Sequence, residues 1–569
     1  MTEPLDDARE CAREPIHLSG AIQPHGYLVS CNLPDWTIRQ VSGNISELFD
    51  VSAPDLLGQD LREFVADDVL GPVADMAALL EPGDSPQRAA AANVGVFAQA
   101  CDVGVHAAQD LVHLEFEPRA HGVRGTMPTV LAQGMVSHAN NARDMGDFFQ
   151  RVAQQVQQLS GYDRVMVYRF RHDDAGEVVA EACTDALEPY MGLRFPAADI
   201  PAQARALYVH NRIRVIPDVA YVPIPVLPGT VEGGAPLDLS QHALRSVSPV
   251  HMEYLRNMGV QASMSISIVV DGRLWGLIAC HHAQPRRVAL PIRAALDMFS
   301  LFVSMRVGSQ ELEEAKELEE QTRDVREALA RRLGSIGDIV CALEETMETV
   351  AHAVPSDGVA LRCDDRWTAQ GDVPDRAGIE RALAWAQANA RERIPATSRG
   401  ADWGQPEEAT VVGLLAVPFG RRDDWLLFFR REQQDEVVWA GEPEKPLVAT
   451  DDGVRIAPRR SFASWKQTVH GTSVPWSKGD RRAADQLHRL LQEQLWQPLP
   501  DAEGNVTDMD AFRRRHTLAG QKSRLDQLSG LLDGLGLLGD AQTQQIGERI
   551  AELEAEILRL MRAQSKEQG

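Results

Sequence analysis

The 569-residue sequence lacks paired cysteines, long apolar runs and clusters of basic residues. Its seven cysteines are widely scattered and never spaced as C-x-x-C, which argues against a disulfide framework and against a cysteine-ligated zinc site. The longest apolar runs, such as SISIVV and VVGLLAVPF, are too short to cross a bilayer, and the acidic start MTEPLDDARE has no apolar core. The sequence therefore predicts a soluble, cytoplasmic protein without a metal site or a membrane segment.

Negative charge dominates the composition: 82 Asp and Glu residues stand against 57 Lys and Arg, giving a net charge of −25. Most of such a surface repels a polyanion, so nucleic acid is not an expected partner. The chain is longer than a single hydrophobic core accommodates, so several domains are expected.

Hydrophobic patterning divides the chain into four predicted parts and indicates an α+β fold class. Residues 1–125 alternate short apolar runs with turn residues. Residues 126–308 open with an amphipathic helix and close with SMSISIVVDGRLWGLIACHH, two strands joined by an Asp-Gly turn. Residues 309–500 contain the strand-like VVGLLAVPFG and DDWLLFFRR, then a polar excursion over 432–478 that is too long for an ordinary connection. Three mixed α/β domains are therefore predicted, followed by a tail over 501–569.

A long helix is predicted between the second and third domains. No proline occurs from Ala294 to about Ile339, and apolar residues there have heptad-compatible spacings amid charged ones: Leu318, Val325, Leu329 and Ile336. The pattern favours one continuous helix that serves as a signalling spine and as a dimer seam.

The tail contains two apolar stripes at helical spacing. The first consists of Leu518, Leu525, Leu528, Leu532 and Leu535, and the second of Ile546, Ile550, Leu553, Ile557 and Leu560. This predicts a helical hairpin that forms a four-helix bundle in a dimer. The alternative is two helices that pack back on the third domain.

Seven motifs occur along the chain in a specific order: CAREPIHLSGAIQPHG, RVMVYRF, RFPAADIPAQARALY, SPVHMEYLRNMGV, LWGLIACHH, WAGEPEKP and PRRSF. With these motifs the sequence resembles the bacterial phytochromes, bilin-binding red/far-red photoreceptors, over roughly residues 5–500. The resemblance implies PAS, GAF and PHY domains in that order. It also implies a knot, in which the N-terminal segment is threaded through a GAF loop near VIPDVAYVPIPVLP.

Cys11 is the first residue of the first motif and stands ahead of its compact segment of Pro, His and Gly residues. Taken alone, a single cysteine in an N-terminal segment carries no functional assignment. The resemblance implies that Cys11 forms a thioether with a vinyl side chain of the bilin. In relatives that use more reduced bilins, the attachment cysteine directly precedes the GAF histidine, where this chain has Val250. Biliverdin, covalently bound at Cys11, is therefore the expected chromophore.

A tetrapyrrole with two propionates requires an apolar slot, cationic groups for the carboxylates and partners for its pyrrole N–H groups. The resemblance assigns Arg214 and Arg245 to the propionates, where a planar guanidinium binds a carboxylate in bidentate fashion. Ser248, Ser263 and Ser265 match neighbouring hydroxyl donors. Without the resemblance, an arginine on a loop is more often a solvated charge.

The remaining pocket residues are assigned by the same resemblance. Asp199 matches the residue whose main-chain carbonyl accepts from pyrrole N–H groups and whose carboxylate faces the third domain. His251 completes that proton network, and His281 lies near the carbonyl of the bilin D-ring. The walls comprise Ile200, Tyr168, Phe195, Tyr208 and Tyr254, of which Tyr168, Phe195 and Tyr254 surround the D-ring. Taken alone, such histidines and aromatics are more often plain core residues.

The excursion at 432–478 matches the PHY tongue of the family. Arg459 is expected to pair with Asp199 in the red-absorbing state, and Ser461 to replace it in the far-red-absorbing state as the tongue refolds from hairpin to helix. The tongue tryptophans that exchange places are assigned to Trp439 and Trp476. Two positions depart from the family pattern: Ala198 is commonly serine, and Gln467 is commonly glutamate.

The residues after the third domain, which would pass the signal on, are the part of the chain whose function the sequence indicates least. Most relatives continue into a histidine kinase, but about 70 residues remain here after the third domain, without a Gly-rich ATP lid or an asparagine-bearing nucleotide box. We therefore expect a non-catalytic, homodimeric photoreceptor that signals through its C-terminal hairpin to a separate protein partner.

Two other functions stay open at this stage. RRRHTLAGQ is similar to the H-T-L-K-G motif of histidine phosphotransfer domains, with His516 as acceptor, but Ala519 stands at the lysine position. The other is a sensor of a bilin or small molecule without photochemistry, because PAS and GAF folds bind many ligands.

Overall fold

The computed structural model describes residues 14–33, 35–80, 84, 86–96, 98–108, 111–119, 127–230, 234–333, 339–363, 366–389, 393–406, 408–419, 424–433, 435–443, 447–450, 453–456, 459 and 461–495. Cys11, His516 and the predicted C-terminal hairpin lie outside these residues.

The first domain is built on an antiparallel sheet to which the second domain adds one strand. Its own strands are β1 (Ala21–Ile22), β2 (Tyr27–Cys31), β3 (Ile38–Ser42), β4 (Gln87–Val94), β5 (Gln99–Ala108) and β6 (Leu111–Pro118). Helices α1 (Ser46–Phe49), α2 (Ala53–Leu56) and α3 (Asp67–Ala77) contribute to its apolar core. The added strand, Ile224–Leu227, lies between β1 and β3.

The N-terminal segment ahead of β2 is held on two sides by one long connection of the second domain. The carbonyl of Gly20 accepts from the N–H of Val226 at 2.9 Å, and the carbonyl of His17 accepts from the N–H of Leu239 at 2.9 Å. This enclosure is what the predicted knot requires.

The second domain has a central sheet with two different faces. Its strands are β7 (Arg164–Phe170), β8 (Gly176–Cys183), β9 (Arg194–Phe195), β10 (Ile213–Ile216), β11 (Ile224–Leu227, in the first sheet), β12 (Ala262–Val270) and β13 (Arg273–His282). One face packs on α4 (Pro128–Asn140), α5 (Met145–Ser160) and the start of α8 (Leu290–Leu333). The other face lies under α6 (Ala202–His210) and α7 (Pro249–Asn257).

The predicted Asp-Gly turn joins β12 to β13, which pair in antiparallel register. Asp271 and Gly272 have φ angles of 49° and 71°. Two successive left-handed residues define the tight hairpin turn that Asp-Gly favours, so this prediction is confirmed.

The third domain has a five-stranded sheet and an extension that reaches the second domain. The sheet, in the order β15-β14-β18-β17-β16, contains β14 (Gly358–Cys363), β15 (Arg366–Gly371), β16 (Ala396–Thr397), β17 (Val411–Phe419) and β18 (Asp424–Arg431). Its helices are α9 (Ile339–Glu345), α10 (Met347–Ala351), α11 (Arg376–Ala388) and α12 (Lys478–Leu495). The extension contains β19 (Asp435–Ala440), the ribbon β20 (Leu447–Thr450) and β21 (Gly453–Ile456), and β22 (Ser464–Val469).

The extension completes the sheet of the second domain, whose order is β10-β12-β13-β7-β8-β9-β19-β22. Strands β19 and β22 form an antiparallel hairpin, and Trp439 of β19 pairs in parallel with Arg194 of β9. The third domain therefore touches the second through shared backbone hydrogen bonds.

Helix α8 is the predicted spine, 44 residues long and therefore about 66 Å from end to end. Its first half buries Phe299 and Val303 in the second domain, and its last turns bury Leu329 and pack Val325 in the core of the third domain. Val325 and Leu329 are covered by their own chain, so the predicted dimer seam is wrong at these two positions. Within the described ranges, no helix combines the length and apolar character needed to span a bilayer.

Candidate functional site

A cavity of about 200 Å³ lies between the sheet of the second domain and helices α6 and α7. Every predicted cofactor-binding residue that the structure describes lines it: Tyr168, Phe195, Asp199, Ile200, Tyr208, Arg214, Arg245, Ser248, His251, Tyr254, Ser263, Ser265 and His281. Cys11, the remaining one, is outside the described residues. Residues scattered over more than a hundred positions are thus brought to one site.

Strand alternation explains why the polar residues reach the cavity from the sheet. In β12, Ala262, Met264 and Ile266 are buried in the helix-covered core, while Ser263 and Ser265 lie on the cavity side. Register then aligns partners across strands: Ser263 is opposite His281, and Ser265 is opposite Arg214. One sheet face therefore carries hydroxyl, imidazole and guanidinium groups side by side.

Two buried arginines give the cavity a positive end. Arg214 Nη1 donates to the carbonyls of His242 at 3.2 Å and Ala243 at 3.3 Å, and Arg245 Nη1 donates to the carbonyl of Ile16 at 2.9 Å. Nε of Arg245 has no hydrogen-bond partner, and neither guanidinium pairs with a carboxylate, among the described residues.

Burial lowers the pKa of Arg214, and burial together with Arg214 lowers the pKa of Arg245 to about 9. Two adjacent buried cations without counter-ions are costly unless an anion binds to them. The pair can therefore hold a ligand that carries carboxylates.

The cavity histidines are neutral at pH 7. Arg164 Nη2 donates to His281 Nδ1 at 2.9 Å, and because a guanidinium can only donate, the proton of His281 sits on Nε2. Burial, with Arg164 and His251 nearby, keeps the pKa of His281 well below its usual value. Burial and Arg214 lower the pKa of His251 to about 4. His281 can therefore offer a fixed N–H donor to an acceptor in the cavity.

A buried ion pair closes the cavity towards the third domain. Asp199 Oδ2 accepts from the hydroxyl of Tyr254 at 3.0 Å and from Arg459 Nη2. The two charged side chains are 2% and 3% exposed. Arg459 also donates to the carbonyl of Ala440, whereas Asp199 Oδ1 has no hydrogen-bond partner in the described chain. The contact between Asp199 and Arg459 is the one predicted from the sequence.

Comparisons with known proteins place this arrangement in a family. Family models match residues 11–119 (PAS fold), 144–307 (GAF domain) and 322–498 (Phytochrome region). A bacteriophytochrome of Pseudomonas aeruginosa is 36% identical over 97% of this chain and 75% of its own length. The chain belongs to the phytochrome family.

Solved phytochrome structures have the same fold. The photosensory core module of Stigmatella aurantiaca phytochrome superposes with a TM-score of 0.74 at 36% identity, covering 86% of this chain and 98% of that structure. A bacteriophytochrome of R. palustris gives a TM-score of 0.73 at 33% identity, over 85% and 98%. The predicted family, fold class and order of PAS, GAF and PHY domains are confirmed.

The extension of the third domain, which the sequence resemblance assigned to the tongue, contains a β-hairpin of β19 and β22. Trp439 lies directly opposite Trp465, and its indole N–H donates to Gln467 Oε1 at 2.8 Å. Gly441 follows with a φ of 85°, and a Cβ there would lie 2.1 Å from the carbonyl oxygen of Ser461. Ser461 itself is exposed. Because the hydrogen bond between Trp439 and Gln467 joins the two strands, Gln467 stabilises the hairpin form.

Trp476, the tryptophan assigned with Trp439 to the exchanging pair, lies in the PHY domain after the hairpin. Its indole N–H donates to the carbonyl of Thr397 at 3.0 Å, and the guanidinium of Arg430 lies 3.9 Å from its ring centre. It belongs to the buried core of the PHY domain, outside the hairpin. In this state Trp439 and Trp476 therefore lie in different surroundings, and their exchange stays a prediction; the tryptophan opposite Trp439 in the hairpin is Trp465.

Aromatic residues shape the wall between the cavity and the tongue. The ring of Tyr168 lies so close to Gly176 that a Cβ at Gly176 would be 1.6 Å from it. Tyr168 and Phe195 have ring centres 5.8 Å apart, and Tyr254 contacts Phe462 of the tongue edge-to-face at 5.2 Å. The tongue thus contributes apolar packing as well as the arginine.

Sequence reasoning missed three residues that the structure connects to the site. Glu14 lines the cavity and accepts from the hydroxyl of Ser248 at 3.0 Å. Arg164 orients His281, and Trp465 faces Trp439. Glu14 and Arg164 lie inside motifs that identified the family, CAREP and RVMVYRF, and Trp465 lies two positions before Gln467, so the signal was present but was read only at neighbouring positions.

Proposed function

We propose that this chain is a red/far-red photoreceptor that binds biliverdin in the GAF cavity, covalently at Cys11. The observation that carries the proposal is the pair of buried guanidiniums, Arg214 and Arg245, which form no ion pair with a carboxylate among the described residues and lie at one end of an apolar cavity. The two propionates of a bilin supply the missing negative charges. The orphaned Nε of Arg245 and Oδ1 of Asp199 offer further hydrogen-bonding capacity.

Each end of the cavity has its own task in this proposal. Arg214 and Arg245, with the hydroxyls of Ser263 and Ser265, hold the propionates. Asp199 and His251 supply acceptors for the pyrrole N–H groups, and neutral His281 donates from Nε2 to the carbonyl of the D-ring. Tyr168, Phe195, Tyr208 and Tyr254, with Ile200, exclude water around the rings. When bound, the bilin supplies absorption of red light and a methine bridge that isomerises between the C and D rings.

The tongue is the proposed relay. Asp199 is shared by the cavity and by Arg459, so a change in hydrogen bonding around Asp199 alters the ion pair that docks the hairpin. In the far-red-absorbing state Arg459 leaves, Ser461 takes its place, and Trp439 and Trp476 exchange positions as the hairpin becomes helical. A buried ion pair that is either made or broken gives a two-state element. Helix α8 and the C-terminal tail carry its state to a signalling partner.

The test is an absorption spectrum of the whole chain mixed with biliverdin, recorded in darkness, after red light and after far-red light. We expect a red band that decreases under red light, a far-red band that replaces it, and full reversal. The double variant Arg214→Met/Arg245→Met is expected to take up less pigment. Stoichiometric pigment without any reversible change would instead favour a bilin sensor without photochemistry.

We also propose a homodimer, and the surface of α8 suggests where the copies meet. Met298, Leu301, Met305 and Leu312 are 41, 43, 74 and 59% exposed. Their spacing of three, four and seven residues makes one apolar stripe, suited to the same stripe of a second copy. We expect Met305→Lys/Leu312→Lys to halve the mass measured by light scattering after gel filtration. Glu313→Lys, which adds charge beside the stripe, should remain dimeric, and an unchanged mass in the double variant would exclude this seam.

A further inference from the structure

Three histidines form a buried cluster where the PAS domain meets the GAF domain. His106 of β5, His113 of β6 and His242, which precedes α7, are all 0% exposed. The ring centres of His106 and His242 are 4.3 Å apart, those of His113 and His242 are 4.7 Å apart, and those of His106 and His113 are 4.9 Å apart. The cluster is separate from the chromophore cavity, and nothing in the proposed photochemistry uses it.

The cluster contains more unpaired polar atoms than a native core normally tolerates. Both ring nitrogens of His106 and both of His242 lack a hydrogen-bond partner in the described part of the chain. A buried polar atom that has lost its water and gained no partner destabilises the fold. Four such atoms in one place therefore point to a ligand.

His113 has the protonation pattern of a metal ligand. Its Nε2 is 3.1 Å from the carbonyl oxygen of Ala108, which can only accept, so Nε2 carries the proton. Its Nδ1 therefore has the lone pair, which faces the hydroxyl of Ser30 at 2.8 Å. A second ring nitrogen anchored on a backbone carbonyl is the usual support of a metal-bound histidine.

We propose that His106, His113 and His242 bind one Zn²⁺ ion. Each residue places a ring nitrogen so that the three lie within 4.8 Å of one another. Three imidazoles leave one position of the zinc tetrahedron for a small ligand. His106 and His113 are stacked and the Ser30 hydroxyl lies on His113 Nδ1, so the proposal requires one ring to turn about its Cβ–Cγ bond and this hydroxyl to release Nδ1.

Charged groups of both signs lie near the cluster. Arg214 and Arg245 lie near His242 and oppose a cation. Glu115, whose carboxylate accepts from the N–H groups of Ala243 and Leu244, lies on the same side, but burial raises its pKa to about 7, so it offsets the two arginines only in part.

Zinc in this place would tie two PAS strands to the GAF connection that encloses the N-terminal segment. Leu239 in that connection binds the carbonyl of His17, and Arg245 in it donates to the carbonyl of Ile16. The metal is therefore structural: it stabilises the junction between the first two domains next to the chromophore cavity. We expect it to raise the melting temperature of the chain.

The test uses the untagged, chelator-stripped chain titrated with ZnSO₄ against a chromophoric zinc indicator. We expect uptake of one Zn²⁺ per chain and a higher melting temperature. His242→Phe and His106→Phe keep an aromatic ring and are expected to lose both effects. His352→Ala, which removes an exposed histidine of the PHY domain, should retain them.

A second measurement, made on the wild-type chain, tests the metal site even if the variants fail to fold. Co²⁺ bound by three imidazoles in a tetrahedral site produces intense visible d–d bands, which can be recorded on the wild-type chain. Stoichiometric uptake with these bands supports the site. Wild-type chain that takes up no stoichiometric zinc, folded phenylalanine variants that still take it up, or an octahedral cobalt spectrum would each overturn the proposal.

Discussion

Replacing Arg459 with glutamine is expected to detach the tongue from the GAF domain and to suppress formation of the far-red-absorbing state. The variant removes one partner of a buried ion pair and leaves the Asp199 side chain, 2% exposed, with Tyr254 as its remaining side-chain partner among the described residues. Breaking a buried pair in this way costs about 3–5 kcal/mol. Hydrogen exchange of the amides in β19 and β22 measures the detachment, and flash spectroscopy measures the photoproduct.

Arg431→Gln is the matched control for this experiment. Arg431 also pairs with an aspartate, Asp372, but these two side chains are 63% and 43% exposed. An exposed pair contributes about 0–1 kcal/mol, so tongue protection should not change. The double variant Asp199→Asn/Arg459→Gln should recover part of the protection, because it removes the unpaired charge. Equal protection of the tongue in wild type and Arg459→Gln would disprove its proposed docking role.

The docking of the tongue does not rest on the ion pair alone. Phe462 packs edge-to-face on Tyr254, and Asn257 of α7 donates to the carbonyl of Arg459 at 3.1 Å. These contacts also contribute to docking, so hydrogen exchange in the arginine variant measures the share of the docking that the ion pair supplies. The pair is suited to a switch because its energy depends on whether Asp199 is otherwise hydrogen-bonded.

The cavity residues could be predicted because short motifs carry them together. Ser263 and Ser265 are two positions apart in a strand, so they share a face whatever the rest of the fold. Asp199, Ile200 and Tyr208 lie within twelve positions on one loop and helix. Recognising these motifs therefore assigns these residues to one site without knowledge of any tertiary contact.

Contacts that depend on strand register could not be obtained in this way. Arg164 supports His281 only because β7 and β13 pair so that these two residues are opposite each other. Trp465 and Trp439 are likewise opposite, whereas Trp476 is eleven positions beyond Trp465 and enters a different core. Sequence spacing alone does not separate a tryptophan in the hairpin from one just after it.

Heptad spacing misled for a related reason. Leu329 has the spacing of a dimer seam, but a helix that crosses from one domain to the next can present the same stripe to its own chain. The stripe that stays exposed is the one at Met298, Leu301, Met305 and Leu312. Which stripe is covered depends on the angle at which the PHY core meets α8, and that angle is not encoded locally.

Replacing Cys11 with serine is expected to abolish covalent attachment of the pigment while leaving the cavity able to bind it. The thiolate is the nucleophile that adds to a vinyl group, and a hydroxyl at the same place does not react. Glu14 lines the cavity beside Ser248, and three residues span at most about 11 Å. Cys11 can therefore reach the edge of the cavity from Glu14.

The measurement separates attachment from binding. Wild type and Cys11→Ser are loaded with biliverdin, and their spectra are recorded before denaturation in SDS and detection of pigment by zinc fluorescence. Wild type should keep its pigment in the gel, and the variant should lose all of it while still showing a red band in the native state. Cys183→Ser, which removes a partly exposed cysteine far from the motif, should behave as wild type. Pigment retained by Cys11→Ser would place the attachment on another nucleophile, and the arginines and histidines of the GAF cavity would then bind a bilin that is anchored elsewhere.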